Sequence, residues 1–146
     1  MRVVVLGFVA GVLSTLVFHQ LTIGLLNSIG IVASAPYSLR PTPPLGVPSV
    51  LNLAFWGGLW GIIFALLAER KTFGLPTWLA GFLFGALAPT LVGWFVVAPL
   101  KGLPIAQGFN PTRMWIGPLI NGMWGLGTAM VLGFLRTGQS RRSREK

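Results

Sequence analysis

The chain has 146 residues, 53% of them hydrophobic and only 9% charged, with a mean hydropathy of +0.77. A soluble domain carries about 25% charged residues, so this sequence lacks the polar side chains to cover a water-facing surface. The formal charge of +9 would suggest nucleic acid in a soluble protein. Here Lys and Arg stand at the ends of apolar runs, which argues against nucleic acid and for membrane topology and lipid headgroups as the reason for the charge.

Four runs are long enough for a membrane-spanning helix, which needs about 20 mostly apolar residues. They cover about 3–26, 48–68, 77–98 and 114–135, and none contains Asp, Glu, Lys or Arg. The runs are continuously apolar rather than alternating, so they predict helices and not barrel strands. The expected fold is an all-α integral membrane protein, a single four-helix domain over 1–137 with a basic, disordered tail at 138–146.

The first run begins after Arg2 and reaches Ala33-Ser34-Ala35, which loosely resembles a signal-peptide cleavage site. Its apolar stretch exceeds the 7–15 residues usual for a signal peptide, and Pro36 would follow the cut, so it is read as a retained span. It carries the stripe Gly7, Gly11, Thr15, and then His19 and Gln20. At about 1.5 Å per residue, His19 lies about 24 Å along the helix from Val3, in the outer leaflet. The loop at about 27–47 holds Pro36, Pro41, Pro43 and Pro44 and is expected to lie extended or as polyproline.

The second run opens after Pro48 and contains Asn52, Trp56-Gly57 and Trp60-Gly61. A short cytoplasmic turn at 69–76 carries Glu69, Arg70 and Lys71. The third run contains Gly81, Gly85 and, at its middle, Pro89, which removes a backbone donor and is expected to kink the helix. Thr90 or a neighbouring helix is expected to satisfy the carbonyl so freed. The second outer loop, about 99–113, includes Gln107 through Arg113 and, with the first, offers the best candidate partner surface. The fourth run holds Gly117, Pro118, Asn121, Trp124 and Gly125.

Runs one and three align from Gly7 and from Gly81. With one gap opposite Pro89, seven positions are identical. Runs two and four share an Asn followed by Trp-Gly. This predicts two copies of one helical hairpin, repeat 1 about 1–70 and repeat 2 about 76–137, in parallel orientation. Such repeats occur in transporters, and they also build a stable bundle. Many of the 20 glycines recur every fourth residue, as Gly7 and Gly11, Gly57 and Gly61, and Gly81 and Gly85 do, and the series Gly117, Asn121, Gly125 keeps the same spacing with Asn at its middle. Residues four apart share a helix face, and small ones there let helix backbones approach closely in lipid.

Orientation follows from the basic residues. Arg2, Arg70, Lys71, Arg136, Arg141, Arg142, Arg144 and Lys146 fall on one face, against Arg40, Lys101 and Arg113 on the other. Both termini are therefore expected in the cytoplasm. The lack of organellar transit features points to a cytoplasmic (inner) membrane, crossed several times.

His19, Gln20, Asn52 and Asn121 fall at similar depth and form the candidate intramembrane polar cluster. An ionisable residue in the membrane is a functional hypothesis by default, whereas Asn, Gln and His also hydrogen-bond between helices for about 0.6 kcal/mol each. The structural role is the stronger expectation. No catalytic residues are assigned: the chain has no Asp and no Cys, and its two glutamates, Glu69 and Glu145, lie outside the spans. That excludes paired intramembrane carboxylates and a Ser–His–Asp triad, and one His without Cys does not make a zinc site. No cofactor or metal is expected. The residues predict a non-enzymatic accessory or scaffold subunit, partnered by the bilayer and by another membrane protein or its own copies. The alternative is a homo-oligomeric transporter or channel using the repeat interface.

Overall fold

A computed structural model describes residues 1–70 and 74–142, the last five of these as backbone only. Four helices are long and apolar enough to cross a membrane: α1 (Arg2–Ser28), α2 (Ser49–Glu69), α3 (Thr77–Leu100) and α4 (Pro111–Thr137). They stand within a few residues of the predicted runs. The largest difference is at α4, which starts with a turn at Pro111–Met114 capped by Asn110, whose side chain accepts from the Thr112 N–H at 3.0 Å. Its main part, Ile116–Arg142, carries the helical backbone into the segment predicted to be a disordered tail. Lys71, Arg144, Glu145 and Lys146 lie outside the described residues.

Proline sets two helix starts. Pro48 and Pro76 precede α2 and α3 with ψ of 135° and 136°, extended conformations that stop any helix upstream. Pro118 instead lies within the first turn of Ile116–Arg142, where a missing N–H costs no intrahelical bond. The α3 backbone stays helical through Pro89 to Val92 and then widens into a π turn at Gly93–Val97. A second π turn, Thr15–His19, occupies the outer half of α1. Each π turn accommodates one extra residue and shifts the faces beyond it.

Helices α1 and α2 pack against each other antiparallel, as do α3 and α4. Helix α1 also packs along α4, while α2 and α3 touch far less. The buried core lies where the four meet and includes Ala10, Phe64, Ala65, Phe84, Trp124, Ala129 and Leu132.

The first outer loop is folded rather than extended. Strands β1 (Pro41–Thr42) and β2 (Val47–Pro48) pair antiparallel, and the Ser49 and Val50 N–H groups bond to the Arg40 and Ser38 carbonyls. Residues 43–46 turn between the strands, with Gly46 at a φ of 70° and its N–H bonded to the Thr42 carbonyl at 2.9 Å. The second outer loop winds through a 3-10 turn, Ile105–Phe109, in which Ala106, Gln107, Gly108 and Phe109 all have positive φ. Ala106 is fully buried under this left-handed turn.

Candidate functional site

The helix contacts place backbone against backbone where glycine removes the side chain. A Cβ placed on Gly7 would lie 2.7 Å from the Gly61 carbonyl and 2.8 Å from the Ala65 Cβ. In the other hairpin, a Cβ on Gly81 would lie 2.5 Å from the Gly125 carbonyl and 2.7 Å from the Ala129 Cβ. Gly11 meets the Gly57 carbonyl as Gly85 meets that of Asn121, and Gly58 receives the Phe8 ring as Gly122 receives the Phe82 ring. Gly117 is less confined: its nearest neighbours are Thr90 Cγ2 at 3.4 Å and Trp94 Nε1 at 3.6 Å.

At the centre, α1 and α4 are joined by side-chain to backbone hydrogen bonds. The Trp124 indole donates to the Gly11 carbonyl at 3.1 Å, and the Ser14 hydroxyl donates to the Trp124 carbonyl at 2.5 Å. Thr15 donates to the same Gly11 carbonyl and Thr128 to the same Trp124 carbonyl, both at 2.9 Å. All four side chains are buried. Without water, a carbonyl shared by two donors is a low-energy place for a hydroxyl or an indole N–H.

The four predicted polar residues do not form one hydrogen-bonded cluster. Gln20 is buried, and its Oε1 accepts from the Tyr37 N–H at 2.6 Å while its Nε2 lies 3.5 Å from His19 Nδ1. The Tyr37 hydroxyl donates to the Leu16 carbonyl at 2.8 Å, inside the π turn of α1. These two bonds fasten the first outer loop to α1. Asn121, half-buried on α4, donates to Thr90 Oγ1 on α3 at 2.9 Å. Thr90 is thus engaged with Asn121, whereas Thr15 bonds back along its own helix. Among the described residues no hydrogen bond joins Asn52 or Asn121 to His19 or Gln20. His19 and Asn52 are half-buried.

Trp56 is exposed to the surroundings of the bundle and meets Phe55 edge-on at 5.9 Å, while Trp60 meets Phe84 edge-on at 6.0 Å. At the cytoplasmic end predicted for the bundle, Glu69 of α2 pairs with Arg136 of α4 at 3.5 Å. Reading the sequence missed Ser14, Tyr37 and Thr128. One signal was present, since Tyr37 is the only tyrosine of the chain and sits in a loop between two apolar runs.

Such an arrangement can hold helices and a loop in place. Compared with protein-family models, with curated proteins and with solved structures, the chain matches none.

Proposed function

We propose that this protein is a non-enzymatic membrane subunit, an accessory or scaffold whose four-helix bundle holds a partner in the bilayer. One observation carries the reading: Ser14, Gln20, Asn121, Trp124 and Thr128 direct their hydrogen bonds into the bundle and its own loop. Polar groups so engaged add order to the fold rather than chemistry. The bundle is two copies of one hairpin. In support, counterpart residues make counterpart contacts, Gly7 with Gly61 and Ala65 against Gly81 with Gly125 and Ala129. Glycine faces are the means of packing, as small residues are in lipid generally. Both termini face the cytoplasm of an inner membrane, a placement supported by the excess of Lys and Arg at that end. The partner is another membrane protein or further copies of the chain, without nucleic acid, and its contact surface includes the two ordered outer loops.

A second reading, a small permeation protein, draws on His19 and Asn52. Both are half-buried at the outer half, and among the described residues neither bonds to another helix. Reconstitution of the purified protein into proteoliposomes separates the two. The scaffold leaves ion and small-solute permeability at the level of empty vesicles. A flux that His19→Ala or Asn121→Leu abolishes, with the fold intact, would replace it by the permeation reading.

A further inference from the structure

The two hairpins meet along two seams, and the seams are built differently. Counterpart positions, taken from the duplication proposed above, make the contrast explicit. On the α1–α4 seam stand Ala10, Ser14, Trp124 and Thr128. Their counterparts on the α2–α3 seam are Phe84, Ala88, Trp60 and Phe64. Ala10 is fully buried and small enough for α1 to approach α4, so the Trp124 indole reaches the Gly11 carbonyl and Ser14 reaches the Trp124 carbonyl. Across the other seam the Phe84 ring fills the space of that methyl. It meets Trp60 at 6.0 Å and Phe64 at 5.5 Å, and Ala88 offers no hydroxyl.

The consequence extends outward. The π turn Thr15–His19 of α1 remains packed on α4, and Gln20–Ser28 touches it as well. Among the described residues of 93–100, the outer third of α3, no Cα comes within 8 Å of an α2 Cα. Along 93–100, α3 therefore stands apart from α2, and Trp56 of α2 and Leu91 and Phe95 of α3 are exposed.

We propose that the α2–α3 seam is a lateral gate: the two hairpins pivot about the hydrogen-bonded α1–α4 seam, and the Phe84 ring is the wedge that sets the resting opening. The α1–α4 seam resists separation because parting it strands an indole N–H and a hydroxyl in hydrocarbon. Parting the α2–α3 seam separates aromatic rings such as Phe84 and Trp60, which hydrocarbon can re-cover, so it is the one that moves. Regions with few packed neighbours supply the low-cost motions of a fold.

The chain has no cysteine, so spin labels attach only where one is introduced. Full-length protein in lipid nanodiscs carries one pair at Leu51→Cys and Val96→Cys, across the gate, and another at Leu25→Cys and Arg113→Cys, across the pivot. All four positions are exposed or outward-facing on the bundle. Pulsed electron-electron double resonance then reads both distance distributions. The gate pair gives the broader distribution, and Phe84→Ala shifts it to shorter distance while the pivot pair stays narrow. Phe84→Leu gives a smaller shift in the same direction, and a narrow pivot distance certifies the fold of each variant. Equal widths for the two pairs, or a gate distance unmoved by both substitutions in folded protein, overturns the proposal. Diluting each labelled variant with an excess of unlabelled, cysteine-free protein confines both distances to one chain, so the outcome is independent of whether the protein has a partner.

Discussion

The Trp124 indole N–H of α4 points at the Gly11 carbonyl of α1, 3.1 Å away and 113 residues apart in the chain. Glycine at position 11 makes the contact possible, since any side chain there would strike the Gly57 backbone of α2. One residue thus serves two interfaces. Its missing side chain admits α2, and its carbonyl anchors α4.

Trp124→Phe keeps the aromatic bulk and removes the donor. It should destabilise the bundle by about 0.6–1.7 kcal/mol, the range for hydrogen bonds between helices in lipid. Ser14→Ala should cost a similar amount, and the double variant less than the sum, because both residues share one local geometry. Reversible unfolding in mixed micelles, followed by far-ultraviolet circular dichroism, measures all three.

Gly11→Leu and Gly85→Leu place a side chain against backbone, where neither partner has a flexible end to move aside. Each should cost at least the ~1–3 kcal/mol typical of overpacking. Gly133→Leu and Gly93→Leu meet nothing within 4 Å and should leave stability nearly unchanged. The same unfolding assay compares the four. Gly81 and Gly85 both face α4 of the same chain, so a leucine at either reads folding before it reads any partner.

Asn121→Leu and Thr90→Val each break the 2.9 Å bond between α3 and α4. A double-mutant cycle should return a coupling of about 0.6 kcal/mol. A coupling near zero would show that Asn121 is not a structural residue and would return it to the candidates for a ligand site.

Tyr37→Phe removes the hydroxyl that occupies the Leu16 carbonyl but keeps the Tyr37 N–H bond to Gln20. Gln20→Ala removes the other fastening. The first outer loop should become more sensitive to protease added from outside in either variant, and most so in the double variant. The rate of cleavage within residues 29–47 checks this. Unchanged rates in the double variant would mean that the β1–β2 ribbon holds the loop by itself.

Glu69→Gln should change stability by less than about 1 kcal/mol, because the ion pair with Arg136 is partly exposed and screened by salt. Unfolding at low and high ionic strength measures the difference, which should shrink as salt rises.

The four spans were legible from composition, since a continuous apolar run of 20 residues without a charge has few other solutions. The glycine spacing was visible in the sequence, and a Cβ at 7, 11, 57, 61, 81, 85 or 125 would meet atoms of another helix. What the spacing does not carry is the partner. Ser14 and Trp124 meet across 110 residues, and no local pattern marks a hydroxyl that will bond a distant carbonyl. The polar residues 19, 20, 52 and 121 shared a depth, but depth along an axis leaves rotation about it undetermined. The π turns add one residue each and rotate the faces beyond them, so His19 and Gln20 fall where a regular helix would not put them. The folded ribbon at 41–48 was hidden by its prolines, which suggest an extended chain until pairing across the reversal is seen.

The central claim is that the bundle serves a partner, and the mass of the native complex tests it most directly. The tagged protein, at native abundance, would be purified in a gentle detergent and its complex weighed by native mass spectrometry with identification of every component. The account predicts a stoichiometric second component, another membrane protein or further copies, that survives purification without conferring flux on proteoliposomes. A single chain bound only to lipid, or a homo-oligomer that conducts, would contradict it.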